Sequence, residues 1–286
     1  METKDTMISF RKCGCSSISP NVKTILRLPM RFSRFGNCCI VIVSSRFFIH
    51  KLKLENMFSY YGSKSKIVNL YPTPKYSKII EPFAGSARYS LKYFDREILL
   101  IEKYEPLVKL WKWLQIATEK DIDNLPILKR GEKISDFNLS EGERLFLSFC
   151  VSEATTSGRN MVTERASTKV AYKIKTTKDI LPKIKHWEIK LGCYTELKNE
   201  TATWFIDPPY QRGGEHYKHS KKNIDFAKLG EWSRERLGQV IVCENDGADW
   251  MPFIPLKEYW GGMKRSTEVI WSNENTIYDN VQQSLF

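Results

Sequence analysis

From residue 58 onward, short apolar runs alternate with amphipathic stretches regularly enough to name elements. Tyr60-Tyr61-Gly62-Ser63-Lys64-Ser65-Lys66 is a polar turn ahead of an amphipathic run, Ile67 to Tyr71, which Pro72 and Pro74 stop. Lys78-Ile79-Ile80 reads as a short buried strand ending at Glu81-Pro82-Phe83. Ala84-Gly85-Ser86-Ala87 is a tight turn of small residues, and Arg88 to Tyr93 is the helix it feeds. Ile98 to Ile101 is a second apolar run, closed by Glu102. Pro106 to Ala117 puts Leu107, Leu110, Trp111 and Leu114 on one helical face, with the proline in the first turn, where no amide partner is lost. Residues 78–117 therefore predict strand–turn–helix–strand–acid–helix, the opening of a doubly wound α/β sheet.

The apolar periods weaken over 118–200. One helix stands out, Glu141 to Glu153, with Leu145, Phe146, Phe149 and Cys150 on its apolar face and Ser140 and Glu143 spaced as a capping box. Thr155 to Lys178 is polar and basic. The block reads as an inserted, mainly helical module. Strand patterns resume at Thr203-Trp204-Phe205-Ile206, which stops at Asp207-Pro208-Pro209-Tyr210, and at Gln239 to Cys243. Lys257 to Trp260 and Ser266 to Trp271 predict a terminal antiparallel pair about Gly261-Gly262. The expected organisation is an extension over 1–56, a catalytic domain over 57–117 and 201–286, and an insert over 118–200.

Composition narrows the class. The 286 residues are 42% hydrophobic and 13% aromatic, which excludes a disordered or collagen-like chain. The net charge of +12 favours a polyanionic partner, most often nucleic acid. Residues 1–56 carry ten Lys/Arg against three Asp/Glu, without a sustained helical or strand period. They read as a basic arm or, preferred here, as a dispensable extension. Seven cysteines, four of them before residue 56, suit a reducing compartment. Cys13-Gly14-Cys15 and Cys38-Cys39 lack the spacing of a zinc knuckle, so no metal is expected. The longest apolar stretch, Cys38 to Ile49, is too short to span a bilayer, so the expectation is a cytoplasmic protein without a membrane partner.

Two motifs carry chemistry. In Glu81-Pro82-Phe83-Ala84-Gly85-Ser86-Ala87, small residues between strand and helix let a ligand approach the backbone, and Glu102 at the end of the next strand can take both hydroxyls of a ribose. Two of the three glycines of a dinucleotide fingerprint are missing, so a ribose-bearing ligand without phosphate fits better; S-adenosylmethionine is one. In Asp207-Pro208-Pro209-Tyr210, two fixed φ angles hold a carboxylate, a carbonyl and a ring together. Such a corner can accept both N–H groups of a conjugated exocyclic amine and return electron density to its nitrogen, with Tyr210 stacked on the ring.

At this point the chain resembles the Dam-like, alpha-group N6-adenine DNA methyltransferases. The resemblance covers residues 58–117 and 202–272. Tyr60-Tyr61-Gly62-Ser63-Lys64 resembles the family's amino-terminal cofactor motif, with Ser63 in place of its second glycine. The loop Glu81 to Ala87, with Ala87 where many members have glycine, resembles the cofactor loop. Ile101-Glu102 is similar to the ribose-binding acid with its strand, and Asp207-Pro208-Pro209-Tyr210 to the catalytic motif. The resemblance implies an α/β Rossmann-like methyltransferase sheet, S-adenosylmethionine as cofactor and double-stranded DNA as partner. It implies that Tyr60, Lys64, Glu102 and Asp207 contact cofactor or reacting groups, alongside Glu81, Pro82, Phe83, Gly85 and Ser86 of the loop. It also implies that 118–200 is the target-recognition module. A cognate restriction endonuclease is a further expected partner, and the expected oligomeric state is a monomer or weak dimer.

Arg159 and Asn160, on a loop with Gly158, are chemically suited to guanine and adenine edges. Lys169, Lys173, Lys175 and Lys178 are candidates for phosphate contacts. Arg212 lies in Gln211-Arg212-Gly213-Gly214, which reads as a mobile loop able to close over a flipped base. The alternatives are an rRNA adenine N6-methyltransferase and a non-catalytic DNA-binding protein with a relic pocket.

Overall fold

The computed structural model describes residues 31–35, 38–42, 57–153, 155–214, 217, 221–261 and 264–274. The chain divides into two compact units, Met1–Lys53 and Leu54–Phe286. In the first, β1 (Arg31–Phe35) and β2 (Cys38–Ile42) pair antiparallel. No alternation in the sequence announced these strands.

The second unit is built on a seven-stranded sheet: β3 (Lys78–Glu81), β4 (Glu97–Glu102), β5 (Glu188–Leu191), β6 (Ala202–Ile206), β7 (Gly238–Asn245), β8 (Ile254–Gly261) and β9 (Lys264–Ser272). Their spatial order is β5-β4-β3-β6-β7-β9-β8. The first five strands run parallel, and β9 enters antiparallel between β7 and β8. The chain winds outward from β3 through β4 to β5, then returns to β6 beside β3 and winds the other way. Strand order therefore reverses between β3 and β6, and a crevice opens there at the strands' carboxyl ends. The doubly wound α/β sheet expected from the sequence is present.

The parallel strands are apolar at nearly every position because both faces are covered. Ile79, Leu100, Phe205, Ile241 and Cys243 point to one side, and Ile80, Leu99, Ile101, Trp204, Ile206, Val240 and Val242 to the other. The first side carries a thick helical layer: α1 (Arg88–Lys92), α2 (Glu105–Ile116), α3 (Glu119–Asp123), α4 (Glu141–Val151), α5 (Glu164–Thr177) and α6 (Leu181–Ile184). The second side is packed by α7 (Phe226–Arg234), which buries Leu229 against Trp204 and Val240. Leu107, Leu110, Trp111 and Leu114 of α2 are all buried, as their spacing requires. Ser140 and Glu143 close the capping box at the start of α4. Among the described residues, no helix is long and apolar enough to cross a membrane.

The stretch expected as an insert divides differently. Glu188–Leu191 is strand β5 of the sheet, parallel to β4. With one buried residue in four, it is too short and too polar to read as a strand in isolation. The helices before it share a core with the sheet: Phe146, Phe149, Val170 and Ile184 belong to the same cluster as Ile79 and Trp111.

This layer also positions the residues around 60. Phe58 is 1% exposed and its ring stands edge-on to Trp111 of α2 (centroids 5.4 Å, 73°) and to Phe149 of α4 (6.0 Å, 65°). Ser59 N–H donates to the Phe149 carbonyl, and Tyr61 N–H to that of Thr155. Lys173 of α5 is buried and donates to Ser59 Oγ (2.7 Å) and to the Cys150 carbonyl. Lys173 is therefore a structural brace rather than a phosphate contact, and Lys178 pairs with Asp123.

At the start of β7, Gly238 has φ +96°, and a Cβ there would stand 2.3 Å from the Ala202 carbonyl oxygen. Both facts exclude a side chain. Gly238→Ala is expected to cost about 2 kcal/mol or more, seen as a lower urea midpoint at unchanged m-value.

Candidate active site

Because β3, β4 and β6 are parallel, the residues that close them, Glu81, Glu102 and Asp207, emerge on one edge of the sheet. The three acids line a single cavity of about 980 Å³, mouth included, at the strand-order reversal. Tyr60, Gly62 and Lys64 form part of its wall, as do Pro82, Phe83, Gly85, Ser86, Arg88, Tyr104, Tyr194, Pro209 and Tyr217. Every residue expected at the cofactor position thus lies on one surface.

The small-residue loop is tied at several points. Gly85 N–H donates to Glu102 Oε2 (3.0 Å), and the Gly85 carbonyl accepts from Trp111 Nε1 (3.0 Å). Ala84 N–H donates to the Ile101 carbonyl and Ala87 N–H to that of Ala84. Gly85 has φ +49° and faces the Tyr60 ring. Ala87 adopts the left-handed region, at φ 45° and ψ 44°. An alanine there costs roughly 1 kcal/mol against glycine, so the loop keeps its turn despite the substitution.

Glu102 also accepts from Lys103 N–H and Tyr104 N–H at its Oε1, both at 2.9 Å. Burial raises its pKa, and the three amides act against that rise. The carboxylate is oriented by backbone alone. Glu81 behaves differently: its side chain is buried, it accepts one amide bond, from Ser90 at 2.7 Å, and desolvation pushes its pKa up to about 8. At neutral pH Glu81 is predominantly the neutral acid.

Asp207 pairs with Lys64 Nζ at 2.8 Å. Burial raises the Asp207 pKa, and Lys64 opposes the rise. Burial alone would depress the Lys64 ammonium, but Asp207 and Glu268 outweigh it and hold its pKa well above the ordinary value. Nζ also donates to the Gly62 carbonyl (3.3 Å) and sits 4.6 Å from the Tyr210 ring centroid. Pro208 is buried and Pro209 faces the cavity. Tyr210, expected to stack on a bound base, lies behind Lys64, and its hydroxyl donates to Glu268 Oε1 (2.8 Å). Burial, with Asp207 and Glu268 nearby, raises the Tyr210 pKa well above 10, so it remains a phenol.

Four participants escaped the sequence reading. Glu268 lies within a strand that was recognised, and a lone acid in its apolar half was the available signal. Tyr71 donates to Glu268 (2.6 Å), but in sequence it only closes a short amphipathic run. Tyr217 packs edge-on to Tyr61 (5.4 Å, 78°), and its hydroxyl lies where a Cβ on Gly62 would stand, so the glycine is required for that closure. Glu244, at the end of β7, accepts from Gln211 N–H (3.0 Å), Asn245 N–H (2.8 Å) and Trp250 Nε1 (3.0 Å).

Glu244 and Asp249 hold the start of the loop at 211–214 that the sequence predicts to be mobile. The Gln211 amide donates to Asp249 Oδ1 (2.9 Å) and accepts from Asp249 N–H (3.2 Å), which ties the loop's start to the turn after β7. The exposed Arg212 packs its guanidinium on Gly247. Both candidate base readers, Arg159 and Asn160, are exposed. Asn160 spends both ends of its amide on Ser135, Oδ1 accepting from the backbone N–H (2.9 Å) and Nδ2 donating to Oγ (3.1 Å). The loop is also held on α4, because Gly158 sits directly on Ser148 and Arg159 N–H donates to the Ser148 carbonyl. The Arg159 side chain is exposed.

No protein-family model matches the chain, and no curated protein does. Among solved structures the chain is similar to a conserved hypothetical protein of Streptococcus pyogenes, at 13% identity over 69% of this chain and 86% of that one, with a TM-score of 0.29. It is also similar to the rRNA methyltransferase aviRa of Streptomyces viridochromogenes, at 12% identity over 72% and 80%, with a TM-score of 0.33. A third, yhhF of Escherichia coli, a proposed methyltransferase, aligns at 12% identity over 69% and 75%, with a TM-score of 0.30.

The Glu81 carboxyl generates a test. In the unfolded chain it ionises near 4.5, and in the folded protein near 8. The unfolded state alone gains from deprotonation between those values, so this group's contribution to stability falls as pH rises from about 4.5 to 8. Glu81→Gln removes the dependence. The variant's Tm relative to the native chain is expected to rise steadily between pH 5 and pH 8; a difference that stays flat across that window contradicts the assignment.

Proposed function

We propose that the chain is an S-adenosylmethionine-dependent methyltransferase acting on the N6 amine of adenine in DNA. The observation that carries this reading is that Glu102 and Asp207, closing β4 and β6, line the same cavity at the point where strand order reverses. One acid is placed for a ribose and the other for an amine.

The wall suits a ribose-bearing cation better than a pyrophosphate. Three amides of the small-residue loop, those of Ala84, Gly85 and Ala87, are already engaged within the protein. A pyrophosphate needs such amides pointed at it. The Glu102 and Asp207 carboxylates instead favour hydroxyl donors and positive charge. Tyr60, Phe83, Tyr104 and Tyr194 supply flat or apolar surface for an adenine ring.

S-Adenosylmethionine supplies a methyl group already electrophilic on a sulfonium, so the protein needs neither a metal nor a covalent nucleophile. Its remaining work is alignment and hydrogen bonding. Asp207 accepts a hydrogen bond from the acceptor amine, and Lys64 opposes protonation of that carboxylate and orients it. Pro208 and Pro209 fix the backbone so that its carbonyls stand at a set distance from the carboxylate. With the amine's N–H groups engaged, its lone pair would take up the methyl group as the carbon–sulfur bond breaks to leave a neutral thioether, and the surplus N–H proton would leave late, through Asp207 or to solvent. Reaching Asp207 requires the adenine to leave the duplex stack, a cost of a few kcal/mol. The net charge of +12 and the exposed Arg159, Lys169, Lys175 and Arg212 suit a phosphate backbone.

Labelled S-adenosylmethionine, incubated with duplex DNA or with rRNA and followed by nucleoside analysis, tests the reading. Radiolabel is expected in N6-methyladenine of DNA; label confined to rRNA, or to cytosine, would refute it. Asp207→Ala should lower kcat by about 100-fold or more, while DNA affinity in a gel-shift titration stays within about threefold. Glu102→Ala should weaken donor binding by about 10- to 100-fold, measured calorimetrically, through loss of charged hydrogen bonds.

A further inference from the structure

Glu268 on β9 is only 1% exposed, does not line the cavity, and has no part in the chemistry above. Its strand neighbours Val269 and Ile270 are buried apolar residues, and an apolar side chain at this position would avoid the cost of desolvating a carboxylate. The acid that stands there draws three donors to one oxygen. Oε1 accepts from Tyr71 at 2.6 Å and from Tyr210 at 2.8 Å, and lies 3.8 Å from Lys64 Nζ. Tyr71 comes from the chain before β3, Tyr210 from the tetrapeptide after β6, and Lys64 from the aromatic turn near residue 60. Two of these three then meet the site directly: Lys64 pairs with Asp207, and Tyr210 belongs to the rigid corner.

We propose that Glu268 is a positioning residue of the methyl-transfer site. Its carboxylate commits the Tyr210 hydroxyl and so fixes that ring, and it pairs with the Lys64 ammonium as a second carboxylate beside Asp207. Glu268 touches neither donor nor acceptor; it sets where Lys64, Tyr210 and hence Asp207 stand. The inference rests on the function proposed above. It goes beyond it by assigning to the antiparallel strand a role in turnover, where packing alone would make it a lid on the sheet.

The test compares Glu268→Gln, Tyr210→Phe and the double variant in the full chain, with labelled S-adenosylmethionine and duplex DNA. Glutamine keeps the shape and an acceptor but removes the charge. Glu268→Gln is expected to lower kcat at least tenfold with KM for S-adenosylmethionine changed less than threefold. A role confined to packing would reduce the yield of folded protein but leave kcat per donor-binding site unchanged. Because Glu268 acts partly through Tyr210, the double variant should be less impaired than the product of the two single effects. Turnover of Glu268→Gln within twofold of the native chain, or effects that simply multiply, overturns the inference while the assigned reaction stands. A native chain that methylates no adenine overturns the assigned reaction, and this role with it. Should Glu268→Gln not fold, Glu268→Asp keeps the charge but withdraws it from both phenols, and the same kinetic outcomes apply.

Discussion

A buried ammonium has to be paired, and the pairing of Lys64 organises this molecule. Its side chain is 7% exposed, and Asp207 and Glu268 flank it from β6 and β9. Removing either partner would leave uncompensated charge in a poorly solvated place. One cation thus joins three segments that lie far apart along the chain: the aromatic turn, the end of a central parallel strand, and an antiparallel strand near the far edge. The crevice exists because the sheet reverses its winding between β3 and β6. Its chemical character exists because a charge near residue 60 is drawn across that crevice.

The approach of Lys64 is set from the opposite direction by the helical layer. Phe58 is wedged between Trp111 and Phe149, the backbone at Ser59 and Tyr61 is bonded to α4 and the loop after it, and Lys173 reaches across to Ser59. The aromatic turn is therefore held between the helices behind it and the carboxylates ahead of it. Glu102 is held with comparable economy, by three backbone amides and no side chain.

Much of the fold was legible because strands buried on both faces must be nearly continuous in apolar residues. That rule located β3, β4, β6 and β7, and the punctuation by Pro82, Glu102 and Pro208 located their carboxyl ends. The helix α4 was legible from its capping box. β5 was not, since an outer strand with one buried residue in four carries no such signature. Nor was α5, whose buried face includes Lys173, Thr176 and Thr177 beside Ala166 and Val170, so that no apolar stripe marks it. Within the site, the residues contributed by strand ends could be read from local pattern. Glu268, Tyr71 and Tyr217 could not, because their roles come from pairings across the sheet and across loops. At 157–161 nothing local says that the Asn160 amide is bonded to Ser135.

The brace from α5 to residue 59 has an evolutionary corollary. If the helical block specified a target as an interchangeable cassette, it could be traded between relatives without penalty. Here the block supplies the Lys173 ammonium, the Phe149 carbonyl and the ring against Phe58. A hybrid carrying foreign helices would inherit a new surface together with a displaced Lys64. Piecemeal change on the exposed sides of the helices should leave the pocket intact, whereas exchange of the whole block should be felt there first.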